Sequence, residues 1–339
     1  MKQTLVALLL LVGIGTFAFV RSRNESQNES SGPTETIILK GASQFGEEHA
    51  FTRAIRKFEE LVQEYYDGPV KFELYLNSEL GLEKDYFAYM SQGLSVDYGI
   101  VSPSHMSTFS HKAPLMDMPF LFRDLDHWNK VLDSDALEPI STEIEAKADV
   151  LVIGHAGGGV RNVIAKRPVT NMAELKGLTI RVMGAPIQTQ MFQAIGASPS
   201  VIAYSEVYNA MKTGVIDAAE NEAAGTKQMK FFEVGPQICQ TQHAITVRPL
   251  CFSGKTFRKL PQKLQEAIRR AGREAGAHGR QLESTEDMAT LTALQDEGKL
   301  QLHPFSQRDE LLRLAEPIKS AYASEIGAMD VLDRVNAIR

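Results

Sequence analysis

The sequence predicts an α/β protein whose sheet is covered by helices on both faces. Two observations carry this. From Thr36 onward, apolar or alternating runs closed by glycine or proline trade places with stretches of helical periodicity. Short buried runs such as "DYGIVSPS" suit strands with no wet face, and the last third is helical throughout.

The elements follow in order. "TIILKGA" is a strand closed by Gly41. "AFTRAIRKFEELVQEYY" puts Phe51, Ala54, Ile55, Phe58, Leu61, Val62 and Tyr65 on one helical face. "VKFELYL" alternates Phe72, Leu74 and Leu76 with Lys71, Glu73 and Tyr75, which is a half-buried strand. "SELGLEKDYFAYMSQG" turns into a helix that stops at Gly93; its Tyr86, Phe87 and Tyr89 read as core or cleft wall. "DHWNKVLDSD" opens another helix. "VLVIGHAGGG", "VRNVIA" and "LTIRVM" read as three successive strands. "PIQTQMFQAIGA" is a helix with Pro186 in its first turn and Gly196 near its end. Ser205 is the expected N-cap of "EVYNAMKTG", which Gly214 terminates. Residues 261–295 and 306–329 complete the chain as helices.

Composition narrows the function. The chain has 339 residues, 43% hydrophobic and 23% charged, with a net charge of −6. That length allows two domains. The acidic balance and the absence of a long basic run argue against a nucleic-acid partner. Lys2, then a neutral run from Thr4 to Val20, then Arg21 reads as an export signal over residues 1–20, cleaved or kept as an anchor. Residues 21–35 read as a disordered tether, and a periplasmic location follows. Cys239 and Cys251 lie on one extended run, about 40 Å apart at about 3.3 Å per residue. Two free, buried thiols are therefore expected.

Two arginines stand out. Arg181 sits in "LTIRVM" on the face opposite Leu178, Ile180 and Val182. Arg161 opens its run directly after Gly157, Gly158 and Gly159. An arginine in an apolar strand is costly unless it meets an anion, and its planar guanidinium matches a carboxylate in bidentate fashion. The anion is either an internal Glu or Asp or a bound ligand. Strand and spacing alone leave both readings open.

Several segments carry a family resemblance. "LYLNSELGLEKD", "APLMDMPFLFRD", "ELKGLTIRV", "AYSEVYNAMKTGVIDAAENE" and "FFEV" followed by "QHAI" resemble, in this order and spacing, the extracytoplasmic solute receptors of tripartite ATP-independent periplasmic (TRAP) transporters, the DctP-like receptors. The resemblance runs from about Thr36 to the C-terminus. It implies a two-domain periplasmic binding-protein fold with hinge-crossing strands and a long C-terminal helix. The domains would be 36–158 plus 247–286 and 159–246 plus 287–339. It implies a monomeric receptor, not an enzyme, that needs no cofactor and closes on a small organic acid for delivery to membrane subunits.

By the same resemblance, Arg181 grips the ligand carboxylate, Arg161 lies beside it, Asn221 helps hold it and Tyr204 faces the ligand. Glu83, Ser102 and, from the loop after the first strand, Gln44 or its neighbour His49 would meet the hydroxyl end. Two departures fall in the last motif: Ala218 and Ala219 follow Asp217, and Glu222 and Ala223 stand where the family has proline. Glu222 is a further hydroxyl acceptor or a pair for a nearby cation. This polar set suggests a sugar acid, a hexuronate or aldonate; a dicarboxylate or keto acid is the alternative ligand. A ligand-sensing module for a membrane partner is the alternative role.

Other constellations are weaker. "GHAGGG" and "GASQFG" lack the spacing of a dinucleotide loop and suit close backbone packing. The eight histidines form no metal-binding pair, so no metal is expected. Ser102 and Ser104 near His105 lack a nucleophile elbow, which argues against a hydrolase.

Overall fold

A computed structural model of the chain describes residues 35–339. The expected export signal and most of the tether lie outside the described residues. In chain order the first half runs β1 (Ile37–Ala42), α1 (Ala50–Tyr65), β2 (Val70–Tyr75), α2 (Glu83–Gln92), β3 (Tyr98–Ile100), α3 (Leu125–Leu132) and α4 (Glu138–Ala148). Next come β4 (Val150–Ala165), α5 (Met172–Leu175), β5 (Thr179–Val182), α6 (Pro186–Ala194), β6 (Ser198–Val201), α7 (Val207–Thr213), β7 (Ala218–Asn221) and α8 (Ala223–Gln228). The chain ends with β8 (Gln237–Ser253), α9 (Gly254–Phe257), α10 (Gln262–Asp296), β9 (Gln301–Pro304), α11 (Arg308–Glu325) and α12 (Met329–Ala337).

The strands form one continuous path in the order β2-β1-β3-β8-β4-β7-β5-β6, with β9 on the side of β8. The outer pairs are parallel, as helix-linked strands must be, while β3–β8, β8–β4 and β4–β7 are antiparallel. The two long central strands therefore belong to both halves of the sheet. This is the two-domain α/β fold with crossing strands and a long helix near the C-terminus.

The glycine run does not end a strand, as the sequence suggests. "VLVIGHAGGGVRNVIA" is a single strand, β4, and its pairing with β8 slips between Gly157 and Val160. Gly157 adopts φ +115°, and a Cβ there would fall 2.2 Å from the Thr246 carbonyl oxygen. Only glycine fits that crossing. Thr246 closes it from the other side, its Oγ1 accepting from the N–H groups of Gly158 and Gly159 at 3.0 and 3.1 Å.

Helix α10, about 50 Å long at 1.5 Å per residue, runs along the crossing and serves both halves. Leu264, Ile268, Ala271 and Ala275 join a core with Leu39, Phe58 and Phe252. Leu291 and Leu294 join a separate core with Ile164, Met211 and Phe231. The C-terminal segment packs on both halves. Tyr322, Val331, Leu332 and Val335 share a core with Trp128, Ile140 and Ile144 of the first half and Ala185 and Ile187 of the second, while Leu311 and Ala315 of α11 join Ile180 and Phe192. Each such fully buried side chain stabilises the seat by roughly 1.5–3 kcal/mol, and His127 Nε2 meets the Val335 carbonyl at 2.9 Å.

Helix α7 also starts differently. Tyr204–Glu206 form a 3₁₀ turn that leads directly into it, and Ser205 caps nothing. Gly214 ends the helix in the left-handed region, as expected. Both cysteines lie on β8, free and buried, also as expected.

Candidate functional site

A narrow cavity lies where the two halves of the sheet face each other. Its wall includes Gln44, Glu83, Ser102, Arg161, Arg181, Tyr204, Asn221 and Glu222. Eight of the nine residues expected at the site therefore share one cavity. The ninth, His49, does not line it. Its Nδ1 accepts the Phe51 N–H at 3.2 Å as the N-cap of α1, and its ring stacks on Phe45 at 3.9 Å. Burial, with the charge of Arg248, lowers its pKa to about 3, so the ring is neutral.

The two arginines turn out to answer their question differently. Arg161, on β4, meets the protein's own anions. Its Nε and Nη2 form a bidentate pair with Glu220 at 2.5 and 2.8 Å, and Nη1 donates to Glu222 at 2.5 Å. Nη2 also donates to the Glu220 carbonyl at 2.9 Å. Burial opposes its charge, but the pull of Glu220 and Glu222 outweighs it and holds the guanidinium above its ordinary pKa. The same pair, with His243 on Glu220 at 3.3 Å, brings the Glu220 carboxyl down to about 2 against the effect of burial. Glu222 thus serves as the cation's pair.

Arg181, on β5, is equally buried yet has no carboxylate within ion-pair distance among the described residues. Its Nε donates to the Ile202 carbonyl at 3.0 Å, and its guanidinium carbon lies 5.8 Å from the Tyr204 ring centre. Burial lowers its pKa, with the Glu220 charge opposing. A buried guanidinium of this kind is costly until an anion meets it.

Three groups converge beside it. Asn221 Nδ2 donates to the Tyr204 hydroxyl at 3.3 Å. A Cβ on Gly225 would fall 2.3 Å from Asn221 Nδ2 and 2.8 Å from both Glu222 Oε1 and the Tyr204 hydroxyl. The glycine at the start of α8 is what lets them meet.

The opposite wall is built on the first half. Glu83, in the first turn of α2, accepts from the Ser102 N–H at 2.7 Å and pairs with His105 Nδ1 at 2.8 Å. Gln44 Oε1 accepts from the Glu83 N–H at 3.4 Å. Ser102 Oγ donates to Asp117 at 2.7 Å and lies 3.6 Å from Met183 Sδ, which follows β5 across the cleft. Overhead, Phe45 meets Tyr204 edge-on at 5.8 Å between ring centres.

A profile described as DctP, bacterial extracellular solute-binding protein family 7, matches residues 42–324. The chain belongs to this family. Its TRAP relatives extend the likeness over most of the chain. A TRAP periplasmic solute-binding protein from Sulfitobacter sp. NAS-14.1, solved with bound α-D-taluronate, is 55% identical with a TM-score of 0.87, covering 88% of this chain and 97% of that one. One from Citrobacter koseri, solved with bound D-glucuronate, is 26% identical with a TM-score of 0.82, covering 89% and 99%. The 2,3-diketo-L-gulonate-binding periplasmic protein YiaO of Escherichia coli K12 is 30% identical over 72% of this chain and 74% of its own length.

Membership explains the frame of the DctP-like site but not all of its wall. Phe45, His105, Met183 and Arg248 also line the cavity, and none was expected there. Arg248 carried a readable signal, since "AITVRPLCF" is again an arginine inside an apolar extended run. The other three have no local signature; only the fold brings them in. Among the described residues, no group of three or more His, Cys, Asp or Glu side chains is placed to hold a metal ion, and no helix is long and apolar enough to cross a membrane.

Proposed function

We propose that the chain is the extracytoplasmic receptor of a TRAP transporter. It would close on a sugar acid, a hexuronate or aldonate, and deliver it to the membrane subunits. The observation that carries this reading is Arg181, a buried guanidinium with no carboxylate within ion-pair distance among the described residues. A ligand carboxylate would take that place, and Asn221 and Tyr204 would flank it. Arg161, already neutralised, would brace Glu220 and Glu222 rather than grip the ligand.

The remaining wall supports a polyhydroxylated acid. Glu83 and Glu222 offer carboxylate oxygens, which accept from hydroxyls and repel a second carboxylate. Buried polar groups of this kind reject analogues that lack the matching hydroxyl. The taluronate bound by the Sulfitobacter relative and the glucuronate bound by the Citrobacter one fit the same chemistry. A C4-dicarboxylate, bound by the Rhodobacter capsulatus DctP protein at 25% identity, fits these acidic walls less well.

Closure would hinge where β4 and β8 cross, at Gly157–Val160 and Ile245–Val247. The lobes would then be 36–158 plus 247–286 and 159–246 plus 287 onward, with the segment from Tyr322 returning to the first lobe. A thermal-shift panel of uronates, aldonates, dicarboxylates and keto acids tests the reading. A true ligand at 100 times its Kd adds about 2.7 kcal/mol of stability. Shifts with uronates or aldonates are expected. A shift only with dicarboxylates or keto acids would overturn the ligand class.

A further inference from the structure

Arg248, on the crossing strand β8, lines the ligand cavity from the first-lobe side. It is 4% exposed. Its Nη1 donates to Asp117 Oδ1 at 3.2 Å and to the Val247 carbonyl at 3.0 Å. Its Nε is fully enclosed without a partner, and Nη2 has none among the described residues. A guanidinium carries five N–H donors, so this one holds three in reserve. Arg161, by contrast, commits every nitrogen to Glu220 or Glu222. Native structures rarely leave buried donors unused unless something else completes them.

The surroundings define what that is. Asp117 already balances the charge, and Glu83 and Glu222 face the same cavity. A second carboxylate arriving there would meet these acids. A neutral hydroxyl or ring oxygen would not, and the hydroxyl could also donate its own proton to Glu83. Aromatic packing fixes the group in place, with the guanidinium carbon 5.2 Å from the Phe51 ring centre.

We propose that Arg248 is the specificity-determining residue at the far end of the cavity, donating to a neutral oxygen of the bound acid opposite its carboxylate. Together with Glu83 it selects long polyhydroxylated monocarboxylates over short acids and over diacids. This rests on the receptor reading above, and Arg181 serves as its control.

The test titrates D-glucuronate, D-glucarate and glycolate calorimetrically into the wild type, R248M, R248K and R181M. Glycolate is long enough for Arg181 alone; D-glucarate carries a second carboxylate at the far end. The wild type should prefer D-glucuronate to D-glucarate by at least tenfold. R248M should lose at least 50-fold for D-glucuronate while its glycolate affinity, however weak, stays within twofold. R248K keeps a cation beside Asp117 and folds even if R248M does not. It should still lose at least tenfold, because an ammonium cannot reproduce the fork. Unchanged D-glucuronate affinity in R248K and R248M, with binding abolished in R181M, would overturn this proposal and leave the receptor reading standing. A wild-type preference for D-glucarate that vanishes in R248M would overturn it too, by making Arg248 a second carboxylate clamp. Undiminished binding of all three acids by R181M would overturn both readings.

Discussion

Arg161 and Arg181 show why one residue type in one kind of strand can serve opposite ends. Removing Arg161 strands Glu220 and Glu222 in a buried site, so R161M should destabilise the ligand-free protein by about 3–5 kcal/mol, read as a large drop in melting temperature. Gly225 tests the convergence beside Arg181: G225A forces a Cβ toward Asn221 Nδ2, 2.3 Å away, and should weaken uronate binding at least tenfold with the fold intact. Of the site, the residues carried by motifs were legible in the sequence, and those joined only by the fold were not. Arg181 and Asn221 lie in short diagnostic strings. His105 and Met183 reach the cavity from segments 78 positions apart, a proximity no local pattern encodes. The pairing of Arg161 was hidden for the same reason, since Glu220 lies on β7, the neighbour of β4 in the sheet, and Glu222 directly after it. His49 caps α1 behind Phe45 and lies off the cavity wall, a position that its sequence neighbourhood does not reveal.

At the scale of elements, α10 carries a buried acid into the crossing. Asp287 accepts from the Ala223 N–H at 2.9 Å and from the Val160 N–H at 3.1 Å, tying the helix to α8 and to the bulge of β4. Burial, only partly offset by those two donors, raises Asp287 to about 7. The native state therefore keeps a proton that the unfolded chain releases near pH 4. The stability linked to that proton is complete at acid pH and is lost as pH rises through about 7. D287N cannot titrate, so its melting temperature should gain several degrees on the wild type between pH 5 and pH 8. A constant difference across that range would contradict the assignment; His49 and His155 titrate in both proteins and cancel, whereas buried Glu283, held up partly by the Asp287 charge, responds to the same substitution. Helix α10 was legible almost to the residue, because its small apolar stripe has a clean period. Strand β4 was divided in sequence because three glycines look like a stop. Here they are a passage: Gly157 meets the Thr246 backbone too closely for any side chain.

The whole molecule is one sheet with two crossing strands, so its halves can turn about a short line without unpairing. Contacts between the lobes include Phe45 on Tyr204, Ser102 against Met183, the Gly46 N–H to Gln228 at 3.4 Å, Gln188 Nε2 to the Asp117 carbonyl at 2.8 Å and the Phe120 N–H to the His243 carbonyl at 2.7 Å. On the proposed function, a ligand anion on Arg181 would favour the closed arrangement of these surfaces. Small-angle scattering should accordingly show a smaller radius of gyration with saturating D-glucuronate than without it; identical curves would argue against closure. The fold class was visible from the alternation of strands and helices. The return of the C-terminal segment to the first half was not, since the apolar face of α12 names no partner until Trp128 and Ile140 are in place. The melting temperature of R181M, measured with and without saturating D-taluronate, tests the role of Arg181 most directly. Arg181 makes one backbone hydrogen bond and bears the cost of burial, so the ligand-free variant should melt within about 2 °C of the wild type, or higher, at roughly 2–4 °C per kcal/mol, and D-taluronate should not shift it. A sharp fall without ligand, with the D-taluronate shift preserved, would mean that the anion of Arg181 belongs to the protein.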